Sequence, residues 1–193
     1  MTMKFYKLSM KVEELENAWY LGKVVDGGGD EILSSNFTTG SIFDLSRNPN
    51  LTVISTDPNG RPVDFRMTFL GVPVVSNTFG DVISKFDARS IQRIPVTVTP
   101  QYSGYEILNI VEKRECLDYE KTSIDRYTHS FYPPEQIGKI KALYNIAILP
   151  ELVKGHHIFR LAEWDVIIIV SSALKDALES EGFVGMNFTA VWT

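Results

Sequence analysis

"HHIFRLAEWDVIIIVSSALKDALESEGFVGMNFTAVW", His156 to Trp192, decides the fold. Ile158 to Leu161 and Val166 to Val170 read as two strands joined by a short Ala162–Glu163 connection. The second is an unbroken apolar run, the pattern of a strand covered on both faces. Ser171 or Ser172 supplies an N-cap hydroxyl for a helix through about Ser180, with Leu174, Ala177 and Leu178 inward. Gly182 is placed to end that helix in the left-handed region. Met186, Phe188, Ala190 and Trp192 then alternate on one face of a last strand. The unit is β-β-α-β.

Working back, "KALYNIAILP" (141–150) is a strand candidate ended by Pro150. In "YEILNIVEKRECLDYE", Tyr105, Ile107, Asn109 and Val111 share one face, and Glu106, Leu108, Ile110 and Glu112 the other. "IQRIPVTVTP" (91–100) is a further strand. "PVVSNTFGDVISKFD" carries Phe79, Val82, Ile83 and Phe86 at helical spacing, with Ser76 or Asn77 as its cap. The first third is rich in turn formers: "DGGGDEILSSN", "SRNPN" and "DPNGRP". "AWYLGKVV" reads as a strand. "LTVIST" and "VDFRMTFLG" flank Asp57 to Pro62 and read as a hairpin, with Val63, Phe65, Met67 and Phe69 on its buried face. Strands dominate and helices are few, so the expected class is α+β with a mostly antiparallel sheet. Residues 1–75 are read as a loop-rich β region of the same domain, and 76–193 as its α+β core.

The 193 residues are 44% hydrophobic and 22% charged, ordinary for a globular domain. No run approaches the roughly 20 apolar residues that span a bilayer, so no membrane partner is expected. The first residues, "MTMKFYKLSMKVEELE", have no apolar core of the secretory type, and one cysteine, Cys116, allows no internal disulfide. Both point to the cytoplasm. A net charge of −5 argues against nucleic acid as the main ligand.

The search for chemistry returns little. His156 and His157 are adjacent at a strand start, so their side chains diverge, whereas two ligands of one metal need a common face. No metal or other cofactor is expected. Cys116 with His129 is a conceivable nucleophile–base pair, but the acids around it in "RECLDYE" would raise its pKa. Asp26-Gly-Gly-Gly-Asp30 lacks the Gly-Lys-Ser/Thr ending of a phosphate loop, and its carboxylates repel phosphate. Phe159 and Phe188 are expected in the core on neighbouring strands. Arg160, on the opposite face from Phe159, is expected in an ion pair with Asp118 or Asp165, or at a rim.

"PVVSNTFGDVI", "YEILNIVEKRECLDYEKTS" and "HHIFRLAEWDVIIIVSSALKDALESEGFVGMNF" follow one another at these distances. Together they resemble the immunity-protein family eleven of bacterial polymorphic toxin systems, formerly a domain of unknown function. The resemblance covers about residues 70 to 192. It rests on Ile158-Phe159-Arg160, the strand ending at Ser171, Gly185 to Phe188, and Leu117, Asp118 and Ser123. It implies a small cytoplasmic protein that neutralises a toxin encoded beside it by binding, with no catalytic residues and no cofactor. The expected partner is therefore a cognate toxin domain. The expected contact residues lie on two loops that combine charge with aromatic groups. One is Glu13 to Asp30, with Trp19, Tyr20, Asp26 and Asp30; the other is the tip Glu163, Trp164 and Asp165. Trp164 could instead tuck into the core. The competing readings are an enzyme or small-molecule binder with a pocket near Cys116 and His129, and a structural or regulatory module.

Overall fold

The computed structural model describes residues 3–11, 18–57, 59–100, 102–128 and 132–193. In chain order the first strands are β1 (Phe5–Met10), β2 (Leu21–Val25), β3 (Glu31–Ile32), β4 (Thr52–Ser55), β5 (Phe65–Met67), β6 (Pro73–Ser76) and β7 (Ile91–Val98). There follow β8 (Tyr102–Ile110), β9 (Lys113–Arg114), β10 (Ser123–Arg126), β11 (Ile140–Tyr144), β12 (Ile158–Leu161), β13 (Ile168–Ser171) and β14 (Met186–Val191). The α-helices are α1 (Ser35–Thr38), α2 (Asn77–Asp87) and α3 (Ser172–Ser180). The fold is α+β.

Seven strands form one sheet in the order β3-β2-β4-β7-β8-β6-β5, and five form a second in the order β14-β1-β13-β12-β9. Both are mixed: the β4–β7 and β12–β9 pairs are parallel and the rest antiparallel. Strands from the two ends of the chain meet, because β1 lies between β14 and β13. β6 crosses the sequence-based boundary at residue 75.

Three apolar layers alternate with the sheets. Tyr105 and Ile107 of β8 face the first, with Trp19, Phe37 and Phe43. Leu108 and Ile110 face the second, with α2, α3 and one side of the smaller sheet. The other side of that sheet faces the third, with Phe5, Phe159, Ile169 and Cys116. This layering explains the apolar run in β13. Ile168 and Val170 enter the second layer while Ile167 and Ile169 enter the third, so alternation of polarity is lost.

The helix boundaries follow the sequence signals. Ser76 Oγ accepts from Phe79 N at 3.4 Å, and Ser171 Oγ accepts from Leu174 N at 3.2 Å. Gly182 has φ +72°, as its place after α3 requires. Four expectations fail. β4 and β5 do not form a hairpin: β4 pairs with β2 and β7, and β5 with β6. Phe69, read as core, is exposed at the turn that follows β5. The β12–β13 connection spans the six positions 162–167, not two. Phe159 and Phe188 are not neighbours either. β1 and β13 lie between their strands, Phe159 faces the third layer, and the half-buried Phe188 packs on the second.

Candidate functional site

The described histidines lie where the two sheets meet. Asp87 ends α2 and is buried, with Ser90 three residues on. The Asp87 carboxylate oxygen Oδ2 accepts from Ser90 Oγ at 2.6 Å and from the His157 backbone amide at 3.0 Å, and lies 3.1 Å from His156 Nδ1. His156 Nδ1 is also 2.8 Å from Ser90 Oγ, and its Nε2 is 3.8 Å from Glu112. His157 turns away, with Nδ1 at 2.7 Å from the cap hydroxyl of Ser171. The adjacent pair diverges as its spacing requires. Burial raises the pKa of the Asp87 carboxyl, but the hydrogen bonds from Ser90, the His157 amide and His156 outweigh it and hold it below the usual value. A serine–histidine–carboxylate relay needs the hydroxyl and carboxylate on opposite ring nitrogens. Here Ser90 and Asp87 both meet Nδ1, Glu112 at Nε2 is beyond hydrogen-bond distance, and Ser90 donates to Asp87, so the cluster ties α2 to β12 and does not activate Ser90.

Cys116 is buried in the third layer. Burial, helped by the nearby Glu163 carboxylate and opposed by Arg114, pushes its thiol up to about 12, which keeps it protonated. The acid responsible is Glu163, distant in sequence. His129, its suggested partner, lies outside the described residues.

Arg160 is almost wholly buried, so the rim reading is corrected. Its Nη1 donates to the backbone carbonyl of Asp165 at 2.6 Å, while Nε and Nη2 have no hydrogen-bond partner among the described residues. Burial pulls its pKa down to about 10, against the pull of the Asp165 carboxylate. Asp165 itself pairs with Lys113 at 3.1 Å, and Glu163 Oε1 accepts from Leu117 N at 3.1 Å. Trp164 is partly buried against the third layer. The expected display tip is thus only half-exposed, because its carbonyl and carboxylates serve Arg160, Lys113 and Leu117.

Trp19 is also corrected. It is 0% exposed and packs edge-on against Tyr102 and Tyr105, with ring centroids 5.6 and 4.8 Å away. Tyr20 points the other way along the chain and is 50% exposed. The Arg66 guanidinium lies 5.2 Å over its ring. Phe69, 70% exposed, is held beside it by the Phe69 N to Leu21 O bond. Asp26 folds its own turn, with Oδ1 accepting from Gly28 N and Asp30 N, and Asp30 is exposed. The rest of the expected acidic segment, 13–17, lies outside the described residues. Sequence reasoning missed the exposure of Phe69, read as buried from period-two alternation, and of Trp192, which it placed only on one face of the last strand. Trp192 is 68% exposed and lies one residue beyond the last β1–β14 pair, Phe5–Val191. That end-point depends on a pairing between chain ends, which local sequence does not encode.

No helix among the described residues is long and apolar enough to cross a membrane. A search of curated proteins finds no significant match. Comparison with family models gives a match that takes in the loop-rich first third as well as the segments that carried the sequence resemblance. The match, described as Immunity protein family (Imm11), spans residues 4–193, and the chain belongs to that family.

Proposed function

We propose that this protein neutralises a bacterial toxin by binding its toxic domain directly. The match to an immunity family over residues 4–193 carries the reading. The state of the reactive groups supports it. Cys116 is a buried thiol with a raised pKa, and Ser90 is engaged by Asp87. A binding role needs neither as a nucleophile. It needs rigid, exposed side chains, which the two sheets supply at their edges. Tyr20 and Asp30 are exposed, with the half-buried Asp26 on the same loop, and we retain these three as an encounter surface for a basic region of the toxin.

The test is co-expression with the toxin domain encoded beside this protein. The expected result is survival of the host and co-purification of the two chains. Survival without any complex would overturn the binding mechanism, and death despite good expression would overturn the immunity role.

A further inference from the structure

We propose that the outer edge of β14, together with Trp192, is a docking site for an extended acidic segment of the toxin, which adds to the smaller sheet as a further strand. This rests on the reading that the protein binds a toxin.

The first observation is the phase of the hydrogen bonds. β14 is an edge strand, paired with β1 in the register Phe5–Val191 to Met10–Met186. Ser172 N donates to Lys4 O, so the even residues of β1 bond towards β13. Lys11 N donates to Gly185 O, so its odd residues bond towards β14. The odd residues of β14 therefore face β1, and the amides and carbonyls of Met186, Phe188 and Ala190 face outward. Trp192 confirms this phase at the end of the strand. Its N donates to Ile146 O at 3.0 Å and its O accepts from Ile148 N at 2.9 Å, both on the outer side. The chain at 146–148 thus already occupies the last outward position as a short parallel neighbour, and among the described residues the preceding ones have no backbone partner. The open length is about 17 Å, room for about five residues of a partner strand.

The second observation is what surrounds this edge. Trp192 is clamped through both backbone groups, yet its indole is 68% exposed, and Tyr144 nearby is 58% exposed. A rigid displayed aromatic loses little entropy on binding and is the commonest type of interface anchor. Two clefts flank it. One of about 340 Å³ is lined by Lys7, Tyr144, Ile146 and Thr189, and one of about 540 Å³ by Lys121 and Asn145. Neither cleft has a carboxylate side chain among its lining residues, though Lys121 lies 3.5 Å from Asp118, and a third cleft along Met186 to Phe188 carries Glu179. On a chain of net charge −5, Lys7 and the Asp118-shared Lys121 make the Trp192 end of the open strand its positive end, which favours an occupant whose acidic side chains fall there. Main-chain bonds would hold the segment and the clefts would choose its side chains.

The test uses the full chain and the toxin domain carrying an inactivating substitution. Ala190→Pro removes an outward amide and leaves the bonds to β1, a change that edge strands tolerate. Trp192→Ala removes the exposed indole, and Lys7→Glu with Lys121→Glu reverses the charge of the clefts. Each is expected to keep the wild-type melting temperature within a few degrees and to weaken toxin binding by about tenfold or more. Wild-type affinity in Ala190→Pro and Trp192→Ala would overturn the site, as would losses confined to Phe69→Ala and Leu70→Ala. A concentration-dependent dimer of this chain that Ala190→Pro abolishes would overturn it too, in favour of a second copy at the edge. If these variants bind normally while wild type binds and protects, only the site falls. If wild type does not bind, both readings fall.

Discussion

Asp87 shows how much of the architecture one side chain holds. It accepts from Ser90 and the His157 amide, and it meets His156, so it joins the end of α2 to the start of β12. Its pKa is depressed in the folded state. Its contribution is therefore present above the unfolded carboxylate pKa of about 3.9 and is lost as pH falls through the lower, folded value. Asp87→Asn should cost about 1–3 kcal/mol at neutral pH, since three donors lose a charged acceptor. Below about pH 4 the gap between variant and wild type should narrow, because wild type alone then loses this carboxylate. Denaturant melts at both pH values check it, and a gap that does not narrow would show that Asp87 is not the titrating group. Trp19 makes the contrasting case. Its burial beside Tyr102 and Tyr105 predicts that Trp19→Ala destabilises by about 3–5 kcal/mol. A thermal melt unchanged from wild type would mean that the side chain is not core.

At the scale of elements, α2 is seated by an ion pair between the half-buried Arg93 and the buried Glu106. Arg93 of β7 puts Nε 2.7 Å from Glu106 Oε1, Nη1 2.6 Å from Asp81, and Nη2 2.9 Å from Asn77 O. Burial raises the Glu106 carboxyl, with Arg93 opposing it. Gly80 is what lets the helix come this close: a Cβ there would lie 1.7 Å from Glu106 Oε1 and 2.9 Å from Arg93 Nε. In an open helix Gly→Ala stabilises by about 1 kcal/mol. Here Gly80→Ala should instead destabilise by about 3 kcal/mol, since it must break the pair or lift the helix. Chemical denaturation gives the sign, and a stabilised variant would refute the packing. The elements themselves were largely legible. Ser76, Ser171 and Gly182 marked helix ends by local hydrogen bonding and φ, and alternation in β8 reported its two covered faces. What was not legible depended on partners distant in sequence. Nothing local to "LTVIST" says that it pairs with β7 and not with β5. Nor could the charges of Glu163 and Asp165 reveal that Leu117, Lys113 and Arg160 claim them.

Across the whole molecule, strands from the two chain ends share one sheet, and the exposed edges are the features that suit recognition. The two proposed surfaces should separate kinetically. Charge reversal at Asp26 and Asp30 should slow association several-fold and flatten its salt dependence, with little change in dissociation. Surface plasmon resonance at two ionic strengths checks this, and unchanged association rates would remove that loop from the encounter. The central claim is that neutralisation is by occupancy. The most direct measurement titrates the purified protein into a fixed amount of active toxin domain and follows residual toxin activity. The account predicts a linear fall to zero at a fixed molar ratio, independent of incubation time. Complete, time-dependent loss of activity at a small fraction of that ratio would show turnover and contradict it.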